Sequence, residues 1–581
     1  KYDRYGNEQW ISSYNSPIGY DEYMYAMAID NSANVTIVGY STNDYSYDYA
    51  TVQFSRDGTE LWSDIHSGPG LTDDRAKGIA VDHQGNVYVT GNSNSSESGY
   101  DFVTVKYNSN GDVQWVQRYN DSTNNNDEVT AIAVDDSDNV YIAGTEYNQR
   151  KDFVTIKYNT DGIIRWVAKY NGPDNSDDKA NAMVIDKEGN VYVTGSSYSN
   201  TTRDDFATVK YNQDGVQQWV AIYNGTANTY DAATKIIVDD FGNVYVTGWS
   251  NGISTNSDFA TVKYNSNGVE QWVVRYDGVE HLMDEPAAIA IDDSGNVCVT
   301  GYTFQTGSYN NYATVKYNAA GIEQWSATYN GIGNAEDLAQ SIGIDGNGNI
   351  YVTGFSRSAS SDFNYATLKY DRGGNLQWTR VFNGPGNSDD MAYLLIVDKL
   401  DNIYVAGGRY TTGSSYDYLI IKYNAAGDSQ WIASCGSPGD VSDEPSAIAM
   451  DPTGNIYITG CSAGYDWYAF FTVKYLAEPV AVRERDGIIP TDYSLGQNYP
   501  NPFNPATKIK FDIPRVSEVS IKIYNLLGEE IVTLVNGRYE SGRYEVEWNA
   551  GNYPTGIYIC RFNAESYGKS ISFIKKLVYI K

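Results

Sequence analysis

Carboxylates at fixed spacing are the chemistry-bearing side chains of this 581-residue chain. They stand before nine similar segments, as Asp21 and Glu22, Asp73 and Asp74, Asp127 and Glu128, Asp177 and Asp178, Asp231, Asp284 and Glu285, Glu336 and Asp337, Asp389 and Asp390, and Asp443 and Glu444. A further acid, Asp48, Asp101, Asp152, Asp205, Asp258 or Asp417, follows within six of the nine, and Asn311, Asn364 and Ala469 hold its place elsewhere. Such a ring of carboxylates suits a cation, a sugar or a basic partner, and makes these acids candidates for a binding face. The plainer reading is that each Asp accepts hydrogen bonds from loop amides and staples the structure. Recurrence in every unit favours stapling, because a ligand site breaks symmetry. A glycosidase-like pair would need two of these acids set apart from the rest, and nothing sets any pair apart. His66, His83 and His281 fall in unrelated contexts, neither G-x-S-x-G nor H-E-x-x-H occurs, and no cysteine has a base nearby in sequence. The chain reads as a binding protein, not an enzyme.

A second set of acids has a different logic. Asp30, Asp82, Asp135, Asp186, Asp239, Asp292, Asp345, Asp398 and Asp451 each open a short turn of the type D-x-x-G-N. Calcium is a candidate ligand for them, but the spacing lacks the dense D-x-D-x-D of a calcium loop, and an Asp folded back onto its own turn amides explains every copy. No cofactor is indicated. The glycine of this turn becomes Asp138 or Asp401 in two units and Ala33 in one, where strain or rearrangement is expected.

The elements that position these residues follow from the tryptophans. Trp10, Trp62, Trp115, Trp166, Trp219, Trp272, Trp325, Trp378 and Trp431 stand 51 to 53 residues apart. In the unit at residues 284–331, four strand-like runs, AIAID, NVCVTG, ATVKY and EQWSATY, are separated by two tight turns and a variable loop. A period near fifty with four strands per unit predicts an all-β fold, a large β-propeller of nine four-stranded blades over residues 1–476. The last unit lacks a fourth strand and the N-terminal strand around Trp10 can supply it, closing the ring. A ring in two groups and an open superhelix are the alternatives. Eight third strands carry a lysine (Lys106, Lys157, Lys210, Lys263, Lys316, Lys369, Lys422, Lys474) expected to pair with the turn Asp of its own blade. The repeated D-F-A-T-V-K-Y, G-x-x-x-W and G-N-V-Y-V-T-G resemble the SBBP family of bacterial propeller repeats, which implies architecture and leaves activity open.

Composition bounds the partners. The formal net charge is −32, and residues 490–581 carry eleven Lys or Arg against nine Asp or Glu, so the repeats hold −34. Such a surface repels nucleic acid and anionic membranes. No run of eighteen apolar residues is present, so no transmembrane helix is expected. Cys298, Cys435, Cys461 and Cys560 show no metal or disulfide spacing; Cys298 replaces a strand tyrosine, and Cys435 with Cys461 forms the one candidate pair. The chain begins at Lys1 inside a repeat, as expected after signal-peptide removal or truncation.

Past residue 476 the repeat stops. Residues 477–493 read as a linker, and residues 494–581 as alternating strands of a small Ig-like β-sandwich. SLGQNYPNPFNPATKIKFDIP, IKIYNLLGEEI, GIYI and the terminal KKLVYIK resemble the C-terminal sorting domain of type IX secretion substrates in Bacteroidetes-like bacteria. The resemblance implies recognition by the type IX secretion machinery, with Lys575, Lys576 and Lys581 in the terminal signal. The expected protein is a secreted or outer-membrane-surface adhesion or binding protein whose partner is a glycan or surface protein. The alternatives are a self-associating subunit of an extracellular fibre or layer and, behind it, a carbohydrate-active enzyme.

Overall fold

A computed structural model describes residues 10–580 except 15–21, 44–45, 70–71, 96, 121–124, 359–361, 385–387, 411–415, 436–441, 452–453, 464–467, 476–480, 485–489, 516, 527, 529, 540–541, 551–552 and 567–568. Every regular element among the described residues is a β-strand. The chain forms two compact units, one of residues 11–452 and 457–473, the other of residues 474–581 with the pieces 1–10 and 453–456.

Nine four-stranded sheets build the first unit, one per repeat. In the fifth, Asp231–Val238, Val244–Asn251, Ser257–Tyr264 and Glu270–Tyr276 lie side by side in chain order. The two middle strands are buried on both faces, which is why they read as unbroken runs such as VYVTG and FATVKY. First strands are innermost and each touches the next around a closed circuit, with Glu22–Ile29 of the first sheet against Asp443–Met450 of the ninth. The ninth sheet takes three strands from its own repeat, and Ile11–Tyr14, directly after Trp10, is its fourth, in register from Ile11 opposite Val473 to Tyr14 opposite Phe470. Across the seam the Met24 amide donates to Cys461 Sγ at 3.1 Å and the Tyr457 hydroxyl to the Ala33 carbonyl at 3.3 Å. All four cysteines are free thiols, so Cys435 and Cys461 are not paired. Burial pushes the Cys298 thiol up to about 12.

The turn aspartates are consumed locally. Asp239 Oδ1 accepts from the amides of Phe241 and Asn243, and its Oδ2 from the Asn243 side chain and the Tyr245 hydroxyl at 2.8 and 3.1 Å. Asp82, Asp186 and Asp345 are held in the same way by Tyr88, Tyr192 and Tyr351, Asp292 by Ser294 and Asn296, and Asp451 receives the Tyr457 hydroxyl. Ala33 keeps the turn, donating to the Asp30 carbonyl at 2.9 Å, but at φ 61°, a left-handed conformation that its Cβ disfavours. Ala33→Gly should therefore stabilise the protein by about 1 kcal/mol after the glycine's unfolded-state entropy is set against the relieved strain. The denaturant midpoint reads this, and a lower midpoint would contradict it.

The strand lysines do something other than the expected pairing. Within 4 Å only Lys157–Asp135 and Lys316–Asp292, both 3.7 Å, are ion pairs of that kind among the described residues. Lys106, Lys210, Lys263 and Lys369 instead donate to a backbone carbonyl in the next sheet, that of Thr160, Ser266, Ala319 and Ala425, at 2.8 to 3.2 Å. Trp115, Trp219, Trp272 and Trp378 donate Nε1 to the same four carbonyls. At these four a tyrosine hydroxyl already occupies the turn Asp, and the ammonium lies over that tyrosine's ring, 4.9 Å from it at Lys263 and Tyr245. Lys157 does the same over Tyr141 and reaches the Gln213 carbonyl, yet still stays within 3.7 Å of Asp135. Where Cys298 replaces the tyrosine, Lys316 reaches Asp292. The turn glycine of the next sheet lies flat on the indole: Gly268 has φ 76°, and a Cβ on it would meet Trp219 Cγ at 2.4 Å. The tryptophan period is thus the blade-to-blade joint repeated.

In the second unit, one sheet orders Ala481–Glu484, Gly542–Asn549, Ala506–Ile513 and Ser494–Leu495, and the other Glu530–Tyr539, Ser517–Tyr524, Gly556–Ser566 and Lys569–Tyr579. Phe511, Ile521, Val546, Trp548, Phe562 and Leu577 fill one core between them. Residues 477–493, expected as a linker, contribute the edge strand Ala481–Glu484, with Ala481 opposite Val546. A four-residue edge strand in a charged stretch has too little pattern to separate it from a linker.

Candidate binding face

Strand alternation splits the acids into two groups. Asp74, Asp101, Asp127, Asp178, Asp205, Asp258, Asp284 and Asp390, eight of the thirteen expected on a binding face, are buried. They are therefore not part of an exposed ring of carboxylates on the loop face. In six sheets the acid opening the first strand turns inward and accepts from a loop glycine amide, among them Gly225 to Asp231 at 2.6 Å, Gly278 to Asp284 at 2.6 Å and Gly331 to Asp337 at 2.7 Å. Directly across the sheet lies the third-strand acid, as Asp178, Ser197 and Asp205 share one register row. Arg118 meets Asp101 and Arg275 meets Asp258, each at 2.6 Å. In the fourth sheet Ile222 holds the place of those arginines, and Asp205 is met by the Thr202 hydroxyl. Burial pushes Asp74, Asp152, Asp205 and Asp390 each up to about 6.

The remaining five acids reach solvent. Glu128 and Asp177 are exposed, and Asp73, Glu285 and Asp389 are half-buried. Four of these also tie neighbours together: Asp389 Oδ1 accepts from the Phe363 amide at 2.8 Å, Asp177 Oδ1 from the Lys151 amide at 3.4 Å, Asp73 from the Tyr100 hydroxyl at 3.3 Å and Glu128 from Lys77 at 2.9 Å.

A cavity of about 520 Å³ opens on the loop side between the second and third sheets, lined by Asn92, Tyr100, Asn125, Asn126, Asp127, Glu128, Tyr147 and Lys151. Two tyrosine faces, carboxamides and charges of both signs can stack on, and hydrogen-bond to, a hydroxyl-rich or peptide ligand. Three of its lining acids and amides come from the stretch before a first strand, but Tyr100, Tyr147 and Lys151 were not singled out by spacing, since the cavity forms only between two repeats. Where the first and second sheets meet, Tyr23 stacks on Tyr40 at 4.9 Å and Arg75 lies over Tyr47 at 4.5 Å. On the opposite side a smaller cavity, about 270 Å³, gathers Asp30, Asp82, His83 and Asp135. Asp82 and Asp135 there are already engaged by Tyr88 and Tyr141. Lys575 and Lys576 lie on the last sandwich strand, and Lys581 falls outside the described residues.

A closed circuit of nine sheets with a variable-loop face defines a β-propeller, here carried on the same chain as a β-sandwich. Residues 497–579 match the secretion system C-terminal sorting domain, residues 68–97, 165–200, 218–253 and 324–359 match the SBBP β-propeller repeat, and residues 242–269 match a β-propeller domain of unknown function. The chain carries SBBP β-propeller repeats and a C-terminal sorting domain of the type IX secretion system, which marks it for export to the cell surface or extracellular space. Among the described residues no helix is long and apolar enough to cross a membrane. No curated protein sequence matches it. Among solved structures it is similar to Sqt1 from Chaetomium thermophilum, at 10% identity over 81% of this chain and 99% of that one, TM-score 0.43. It is also similar to PorZ, a surface component of the type IX secretion system of Porphyromonas gingivalis, at 14% identity over 96% and 75%, TM-score 0.35. A third is the polysaccharide lyase Uly1, at 11% identity over 60% and 90%, TM-score 0.36.

Proposed function

We propose that the exported propeller is an adhesion or recognition module that holds a glycan or a surface protein on its loop face and catalyses no reaction. The observation that carries this reading is the 520 Å³ cavity with Tyr100, Tyr147, Glu128 and Lys151 in its wall. It sits on the face where the loops differ in length and composition from repeat to repeat, as NSNSSESGY and FQTGSYNN do, whereas the opposite face repeats one turn. Variation on a rigid scaffold is where recognition is built. Binding of the labelled full chain to arrayed glycans and to immobilised cell-surface extracts tests it. Tyr147→Ala with Lys151→Ala should weaken the strongest signal by roughly tenfold or more, the loss of one aromatic anchor and one polar contact. An unchanged signal in the double variant, or none from the native chain, would sink the proposal.

A further inference from the structure

One place breaks the repeat's own symmetry. After the fourth strand the repeats carry Ser67, Asn120, Asn171, Asn224, Asn330 and Asn383, but the fifth carries Asp277. In its siblings the amide is spent on the residue four further on, Asn224 on Asn228 at 2.8 Å and Asn330 on Asn334 at 2.6 Å. Asp277 also spends Oδ2 on the residue four further on, His281, and in addition joins Asp258 of its own sheet and Asp284 of the sixth. One carboxylate oxygen from each lies within 4.8 Å of the other two, and this is the only such group of three among the described residues. Two oxygens that both sit about 2.4 Å from one ion can be no further apart than that.

The oxygens there outnumber the donors. Arg275 meets Asp258 Oδ2 and His281 Nδ1 meets Asp277 Oδ2, each at 2.6 Å, and the Gly278 amide takes Asp284 Oδ2. The Oδ1 atoms of Asp258 and Asp277 are buried without a hydrogen-bond partner, as is that of Asp205 in the fourth sheet. A separate observation lies on the adjoining strands. Asp284, Thr303 and Asn311 form one register row, Thr303 and Asn311 are fully buried, the Thr303 hydroxyl bonds to Asp284, and Asn311 Oδ1 is without a partner. Thr303 Oγ1 and Asp284 Oδ1 crowd the same spot over Gly278, where a Cβ would meet them at 2.2 and 2.9 Å. Buried oxygens left without donors are costly unless something positive meets them, and one guanidinium and one imidazole face three carboxylates.

We propose that a calcium ion binds between the fifth and sixth sheets, held by Asp258, Asp277 and Asp284 with neutral oxygen from the Thr303 and Asn311 row, and that it fastens this joint of the ring. An all-oxygen, carboxylate-rich, irregular ligand set selects calcium over softer ions. The site lies on a different pair of sheets from the cavity above and stands or falls apart from it. The test is calorimetric titration of calcium chloride into the chelator-stripped full chain, with thermal unfolding alongside. One saturable site and a raised unfolding temperature are expected. Asp277→Asn, which restores the residue that sibling repeats fold with, should bind roughly tenfold or more weakly and lose most of the thermal gain. No saturable binding by the native chain, or equal binding by Asp277→Asn, would overturn the site.

Discussion

A chain lacking residues 1–14 should no longer behave as a closed ring. Ile11–Tyr14 fills the ninth sheet through four register pairs, and the Ser12 hydroxyl also donates to the Gly58 carbonyl at 2.5 Å. Net ladder bonds of about 0.5–1.5 kcal/mol each make the loss roughly 2–6 kcal/mol. The effect on assembly is larger still, because Tyr468–Tyr475 becomes an open edge that another chain can pair with. Light scattering should show oligomers of the shortened chain where the intact chain is monomeric, and a peptide spanning residues 9–16 added in trans should restore the monomer. A shortened chain that stays monomeric with an unchanged unfolding midpoint would mean that the strand contributes nothing to closure. An intact chain that polymerises and stops doing so on truncation would instead favour the fibre-subunit reading over adhesion.

The second large effect is on pH. Asp74, Asp152, Asp205 and Asp390 are pushed up to about 6 by burial, against about 4 in the unfolded chain. Between those values the folded chain holds protons that the unfolded chain has released. Their contribution is full at the acid end and is lost as pH rises through 6, by roughly 2 kcal/mol for each carboxyl. Below about pH 4 both states hold the proton and the contribution of these four is level. Burial pushes Asp135 up as well, but hydrogen bonds from Asn139, Tyr141 and Ser137 outweigh it and hold that carboxyl low, so its support is lost on acidification. Calorimetry should find maximal stability near about pH 5 and a clear decline by about pH 7.5. Asp205→Asn, placing the residue that Asn311 and Asn364 already hold in the sixth and seventh sheets, should raise stability at the higher pH by about 1–3 kcal/mol and leave the lower value unchanged. A flat profile, or an Asp205→Asn chain no more stable at neutral pH, would show these carboxyls ionising as ordinary ones.

The architecture was legible because each repeat states it locally. Trp219 in one unit and Gly268 in the next can be matched by counting, and the turn at Asp239 is closed by side chains within six residues. The missing fourth strand of the last repeat pointed to Trp10 by the same counting. The lysines were harder: Lys263 and Asp239 share one end of a sheet, and nothing local says that Tyr245 reaches the carboxylate first and sends the ammonium to Ala319 of the next sheet. The sandwich edge strand was hidden for the opposite reason, four residues being too few for any period to show.

By itself, then, the sequence determined the repeat, its strands and turns, the closing strand and the export domain, all of which depend on spacing and on interactions within one repeat or one contiguous segment. Tertiary structure alone decided which acids face water, because Asp73 and Asp74 differ only in which side of a strand they leave. It also decided which acids meet. Asp258 and Asp284 belong to different repeats, and only the packing of one sheet on the next brings them together with Asp277. Likewise the cavity walled by Tyr100 and Tyr147 exists only where two repeats face each other.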